Sequence, residues 1–277
     1  MTSSDALITS YVSSLSKSAA MAHCRATEAK GEIVMSVKVL ILCGGKGTRS
    51  YPFTEYFPKV MMPINGSPIL VHLMKIYAEQ GFTDFVLAAG HRKEMLYDYF
   101  DGRFPSWQIQ IVDTGENADT GERVARCAPY VGDTFFTTYG DGLGDIDLAQ
   151  LLRTHRQRGG LATLTTVPLR SQYGLVVFDH SGCVRRFDEK PVVERCWINA
   201  GFFVFEKNVF DYWNGSNLEV EVLPELARQQ KLFTYQHAGF WKSMDTSKDQ
   251  QELEQIYCAD KAPWLVSPPR AAVSAAH

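Results

Sequence analysis

From Leu40 to Ile64 the chain reads LILCGGKGTRSYPFTEYFPKVMMPI, an apolar run that breaks into glycines and then into Lys46, Arg49 and Lys59. Gly44 and Gly45 remove two successive side chains, so the backbone there can approach another group closely. A strand-to-loop turn with free backbone N–H groups makes an anion-binding nest, and Arg49 and Lys59 could clamp phosphate oxygens. Two commoner phosphate loops do not fit. A dinucleotide fingerprint needs a third glycine where Ser50 stands, and a P-loop needs Ser or Thr after the lysine, where Gly47 stands. A structural turn with solvated cations is the ordinary alternative for this segment.

Asp141 in YGDGLGD follows an apolar run, and Asp245 in SMDTSKD precedes a helical one. A turn and a helix N-cap would account for them equally well. Together they offer two hard carboxylate oxygens, and Mg²⁺ binds through one or two carboxylates plus substrate phosphates. They lie far apart in the sequence, so only the fold could join them. Lys190 beside Glu189 in FDEKP, and Asn199 in WINAG, stand in turn-like contexts where a solvated role is ordinary. Glu219 and Glu221 alternate along a short segment, as on a solvated or ligand-facing strand edge. The seven histidines show no metal-ligand spacing and no Ser-His-Asp arrangement stands out. His237 in HAGFW reads as a structural histidine.

The elements that must position these residues alternate. VKVLILC (Val37 to Cys43) reads as a strand buried on both faces, and SPILVHLMKIYAEQG (Ser67 to Gly81) as a helix stopped by glycine. DFVLAAG, WQIQIVDTG and DTFFTTYGDGL read as further strands, with helices at RKEMLYDYF (Arg92 to Phe100) and IDLAQLLRTHRQRG (Ile146 to Gly159). Such alternation predicts an α/β fold with a Rossmann-like, mostly parallel sheet flanked by helices, and ligands beyond the carboxyl ends of the strands. After about Leu161, LATLTTVPL, YGLVVFD, CVRRFDEKP and WINAGFFVF are short strand-like runs that predict a smaller, partly antiparallel lobe. SKDQQELEQIY (Ser247 to Tyr257) predicts a terminal helix.

The 277 residues are 45% hydrophobic with a net charge of −3. That is enough for a large core, and it supplies no basic field of the kind nucleic-acid binding requires. No apolar run approaches the roughly 20 residues that span a bilayer, so neither nucleic acid nor membrane is expected as a partner. Six scattered cysteines without a C-x-x-C pair argue against a zinc ribbon or a disulfide scaffold, and suit buried thiols in a reducing cytoplasm. The Ser- and Ala-rich residues 1–34 lack a secretory pattern and are expected to be a poorly ordered extension, with Met35 a candidate start. A single domain over 35–262 and a frayed tail over 263–277 complete the expected organisation. No hexapeptide-repeat tail follows, so no acyltransferase domain is expected.

Gly44-Gly45-x-Gly47-Thr48-Arg49 followed by Pro58-Lys59, Gly-Asp-Gly at a strand end, Glu189-Lys190-Pro191 and a late Asp245 together resemble the sugar-1-phosphate nucleotidyltransferase family, from about Val37 to Trp264. The stretches Asp113 to Arg123, TYGDG, WINAGFFVF and GFWKSMDTSKD are most similar to its glucose-1-phosphate cytidylyltransferase branch. Ser50 stands where the family signature usually has leucine, and Ala200 where that branch tends to have glycine. The resemblance implies Mg²⁺-dependent transfer of a nucleotidyl group from CTP, or another nucleoside triphosphate, to a sugar 1-phosphate, by a homo-oligomer. It implies that Gly44, Gly45, Gly47, Thr48 and Arg49 wrap the triphosphate and that Lys59 contacts the α-phosphate, with Arg49 and Lys59 catalytic. Glu116, Thr120 and Gly121 would face the nucleobase. Asp141 and Asp245 would hold the metal, while Gly174, Glu189, Lys190 and Asn199 would grip the sugar phosphate. A catalytically idle sensor of nucleotide sugars on the same fold is the rival from another class.

Overall fold

Val39, Leu40 and Ile41 are wholly buried in the first strand, β1 (Lys38–Leu42), as a strand covered on both faces must be. The computed structural model describes residues 37–50, 53–260 and 262–265, all within the compact unit Ser36–His277. The expected extension 1–34, Met35 and the chain beyond 265 lie outside the described residues. After β1 come β2 (Pro63–Ile64), β3 (Ser67–Pro68), α1 (Ile69–Ala78), β4 (Asp84–Ala89), α2 (Glu94–Phe100), β5 (Gln108–Asp113) and α3 (Thr120–Arg126). Next are β6 (Thr134–Tyr139), β7 (Gly142–Gly144), α4 (Leu148–Arg158), β8 (Ala162–Arg170), β9 (Leu175–Phe178), β10 (Val184–Asp188) and β11 (Val192–Glu206). The described part closes with α5 (Leu223–Arg228), β12 (Leu232–Gln236), β13 (Trp241–Ser243) and α6 (Ser247–Asp260).

Among the described residues seven strands form one sheet in the order β12-β8-β11-β6-β1-β4-β5. Pairs β1/β4, β1/β6, β4/β5 and β12/β8 are parallel; β11 runs antiparallel to both its neighbours. Side-chain alternation along β1 divides the core. Val39 and Ile41 pack with Leu70, Leu73 and Tyr77 of α1 on one face, and Leu40 and Leu42 with Val124 and Leu226 on the other. The chain runs outward from β1 to β4 and β5, then returns to β6 on the other side of β1. That is a topological switch, and it opens at the carboxyl ends of β1 and β6.

The mostly parallel sheet and additional small antiparallel sheets match the expected fold class, with local differences. Two of the four short runs after Leu161, β8 and β11, extend the main sheet, because β11 pairs β6 as well as β8 and runs antiparallel to both. Only the hairpin β9/β10 stands apart, with Phe178 and Phe187 exposed. Helix α1 begins at Ile69 rather than Ser67, since Pro68 takes an extended ψ of 143° and Ser67–Pro68 pair with β2. Glu219 and Glu221 lie on a single π turn, Leu218–Val222, and not on a strand edge. The folded part passes the expected boundary at 262: Pro263–Leu265 form a 3₁₀ turn with Trp264 buried against His72. Cys43 and Cys127 are buried as expected, whereas Cys183, Cys196 and Cys258 are exposed. No helix among the described residues is long and apolar enough to cross a membrane.

Candidate active site

The parallel strands bring four loops to one edge: Cys43–Ser50 after β1, Gly90–Lys93 after β4, Thr114–Asp119 after β5 and Gly140–Asp141 after β6. Lys59 rises among them from a 3₁₀ turn, Lys59–Met61, set by Pro58. Its Nζ lies 2.6 Å from Asp141 Oδ2 and 2.8 Å from Asp245 Oδ1, with only 10% of the side chain exposed. Arg49 Nη2 adds a third contact, 2.8 Å from the same Asp245 oxygen.

Asp141 and Asp245 meet because β7 and β13 pair antiparallel, with Ser243 opposite Gly142. Asp141 directly precedes that short ribbon, Asp245 closely follows it, and Met244 N–H donates to the Asp141 carbonyl at 2.9 Å. Ser50 Oγ, fully buried, donates to the Asp245 carbonyl at 2.9 Å. The departure from leucine at Ser50 thus ties the glycine loop to the second carboxylate.

The glycines serve different ends. Gly47 has φ 60°, and a Cβ there would lie 2.8 Å from Lys59 Cβ, so only glycine lets the loop close over the lysine. A Cβ on Gly44 would lie 2.1 Å from Arg123 Nη1. The protein group packed against the Cα of Gly44 is therefore the Arg123 guanidinium. Gly45 borders open space.

Arg123 is the residue that motif reasoning missed. Only 4% exposed, it donates through Nη1 to Thr114 Oγ1 and the Gly115 carbonyl, both at 2.7 Å, and through Nη2 to the carbonyls of Gly44 (2.9 Å) and Glu116 (3.2 Å). Burial, then the neighbouring Arg126 charge, draws its pKa down, yet an arginine keeps its proton. One guanidinium thus binds the loops after β1 and β5. Gly121, Arg123 and Val124 form the buried face of α3. Beside it, burial pushes the Cys43 thiol far above its usual range and that of Cys127 up to about 12, so both are inert.

Lys46, Thr48, Thr54, Glu55, Tyr56, His91 and Arg92 line an open cavity of about 770 Å³. Lys46 Nζ donates to Asn117 Oδ1 at 2.9 Å, and His91 Nδ1 lies 3.3 Å from Glu116 Oε1. Gly121 is buried, with its Cβ position 2.9 Å from the Ser216 carbonyl; Thr120 beside it donates to Glu219. Asn199 bonds the Tyr139 hydroxyl at 3.1 Å. Gly174, Glu189 and Lys190 keep to the β9/β10 hairpin. Lys190 Nζ lies 3.8 Å from Glu189, and among the described residues no hydrogen bond or ion pair links these three to Lys59, Asp141 or Asn199. His237 is structural, 2.8 Å from Asp145.

Residues 38–249 match the protein-family model described as Nucleotidyl transferase. The chain belongs to the nucleotidyl transferase family. A glucose-1-phosphate cytidylyltransferase of Salmonella typhimurium is 36% identical over 254 residues, covering 82% of this chain and 98% of that protein. A UTP–glucose-1-phosphate uridylyltransferase of Synechocystis sp. is 36% identical over 197 residues, 64% of this chain and 50% of that protein. Among solved structures, a UDP-glucose pyrophosphorylase complexed with UDP-glucose superposes with a TM-score of 0.63 at 18% identity, over 82% of this chain and 100% of that one. That last likeness is one of fold.

In this nucleotidyl transferase Asp141 and Asp245 are two carboxylates that could share a metal ion. Their facing oxygens already meet at a single ammonium. No group of three or more His, Cys, Asp or Glu side chains gathers among the described residues to make an all-protein metal cage. Two carboxylates completed by substrate phosphates are the donor set that suits Mg²⁺.

Proposed function

We propose that this enzyme transfers the cytidylyl group of CTP to a sugar 1-phosphate, with α-D-glucose 1-phosphate the first choice, and releases pyrophosphate. The observation that carries the reading is the convergence of Asp141 and Asp245 on Lys59 beneath the Gly44–Arg49 loop. Identity of 36% along nearly the whole of a glucose-1-phosphate cytidylyltransferase supports the choice of CTP. The same identity to a uridylyltransferase spans only half of that protein.

A phosphate oxygen of the sugar phosphate attacks the α-phosphorus of CTP. A P–O bond forms there as the bond to pyrophosphate breaks. That oxygen is ionised at neutral pH, so no general base is needed; the difficulty is bringing two anions together in line. Backbone N–H groups from Gly44, Gly45, Gly47 and Thr48 wrap the triphosphate, with Arg49 on its outer phosphates. Lys59 has three N–H donors; two face Asp141 and Asp245, and the third is left for the α-phosphate. Glu116, Thr120 and Gly121 border the nucleobase, and Gly174, Glu189, Lys190 and Asn199 take the sugar phosphate. Mg²⁺ held by Asp141 and Asp245 would supply charge that offsets the repulsion between the reactants. A homo-oligomer in the cytoplasm, with neither nucleic acid nor membrane as partner, completes the reading.

The test is pyrophosphate release from CTP, Mg²⁺ and glucose 1-phosphate, with UTP, dTTP and GTP run alongside. Release that needs both substrates and is fastest with CTP is expected. Preference for another nucleotide moves the base and keeps the chemistry. Silence with every nucleotide and sugar phosphate overturns the reading in favour of a sensor.

A further inference from the structure

The sequence leaves Glu219 open between a solvated and a ligand-facing role. In the fold, Asn217 Oδ1 accepts from the N–H groups of Glu219 (3.0 Å) and Val220 (2.8 Å) and so starts the π turn that carries Glu219. The Glu219 carboxylate takes two hydroxyl donors: Thr120 Oγ1 on Oε2 at 2.7 Å, and the Tyr139 hydroxyl on Oε1. Tyr139 in turn accepts from Asn199 Nδ2 at 3.1 Å, and Asn199 Oδ1 accepts from Gly201 N–H at 2.8 Å.

The donor inventory gives this chain a direction. A carboxylate only accepts, so the single Tyr139 hydroxyl proton goes to Glu219. Burial, and then the Glu219 charge, pushes the Tyr139 pKa far above its usual range and keeps that proton in place. Tyr139 must therefore receive from Asn199, which fixes the amide with its nitrogen toward Tyr139 and its oxygen toward Gly201. The second Nδ2 hydrogen is left for an acceptor in the site. A bulge in β11 between Asn199 and Phe203 makes room for this arrangement. Gly201 sits there at φ 78°, and a Cβ on it would lie 2.3 Å from the Tyr139 ring.

We propose that Glu219 is a positioning residue that couples the two substrate edges of the site. Through Tyr139 it aims the Asn199 amide at the sugar phosphate, and through Thr120 it holds the segment that borders the nucleobase. The inference rests on the function proposed above and adds to it a residue and a division of labour.

The test compares initial rates and melting temperatures of the wild type, Glu219→Gln, Tyr139→Phe, Thr120→Val and the double variant Glu219→Gln/Tyr139→Phe. A glutamine can accept on one side only, and its N–H₂ would face a hydroxyl that already has its donor. Tyr139→Phe is expected to raise KM for glucose 1-phosphate about tenfold and to leave KM for CTP within about twofold. Thr120→Val should do the reverse, and Glu219→Gln should raise both. The double variant should be no worse toward glucose 1-phosphate than Glu219→Gln alone, as residues acting in one chain must be. Melting temperatures that fall while both KM values stay put, or an additive double variant, would make Glu219 a packing residue and overturn the proposal. If Glu219→Gln does not fold, the opposite KM shifts of Tyr139→Phe and Thr120→Val still decide. A wild type that turns over no substrate pair defeats the parent function, and this proposal with it, before any variant is measured.

Discussion

Lys59 and Arg123 are two buried cations with opposite kinds of partner. Lys59 is held by the two carboxylates proposed to take the metal ion, with one N–H left for a phosphate, so its surroundings are suited to change on binding. Arg123 is held by neutral carbonyls and a hydroxyl, which suits permanence. The expected consequences differ accordingly. Asp141→Asn should lower turnover by at least about a hundredfold with little change in melting temperature, checked by pyrophosphate release and calorimetry. Arg123→Met should orphan several carbonyls and cost about 3 kcal/mol. In a domain of this size that lowers the melting temperature by roughly 6–12 °C.

At the scale of elements, the site depends on three short irregular pieces: the β7/β13 ribbon, the β11 bulge and the π turn. The ribbon has three residue pairs, Trp241/Gly144, Lys242/Leu143 and Ser243/Gly142. A register slip of one residue would carry Asp245 about 3.4 Å along the strand and turn its neighbours over. The bulge is the most exposed to substitution. Gly201→Ala would place a β-carbon against the Tyr139 ring in a left-handed backbone. It should destabilise by at least about 1–3 kcal/mol and weaken sugar-phosphate use, read as a raised denaturant sensitivity and a raised KM.

At the scale of the molecule, ligand binding and pH both couple to folding. CTP with Mg²⁺ at a hundred times the dissociation constant should stabilise by about 2.7 kcal/mol, roughly 5–11 °C in melting temperature. Asp245→Asn should remove most of that gain. Burial lowers the pKa of His72 and of His155. His72 accordingly sits neutral in the fold, with Nε2 2.9 Å from the Ile64 carbonyl and Nδ1 unpartnered. A depressed histidine pKa gives stability that is complete above the unfolded value and is lost as pH falls toward the folded one. The melting temperature should therefore decline below about pH 6.5. His72→Gln, which keeps a donor for Ile64, should flatten part of that decline; an unchanged slope would rule His72 out as its source.

Local sequence determined the parallel half of this protein. The buried strand before Gly44, the helix after Pro68 and the alternation through Tyr139 follow from side-chain period and from glycine and proline, which act within a few residues. The reaction class was equally legible, because Gly44 to Arg49, Lys59 and Asp141 stand on contiguous motifs next to strand ends. What the tertiary structure decided is everything that depends on pairing across long separations. It set Asp245 beside Asp141 through a three-pair ribbon, and it joined β8 and β11 to the main sheet through β6. It also turned Gly44 into a seat for Arg123 and converted Glu219 from an apparent strand edge into the junction of Thr120 and Tyr139. A single sequence carries hydrophobic period and turn chemistry, but not the register of distant strands, and that register is what brings these side chains within hydrogen-bonding distance.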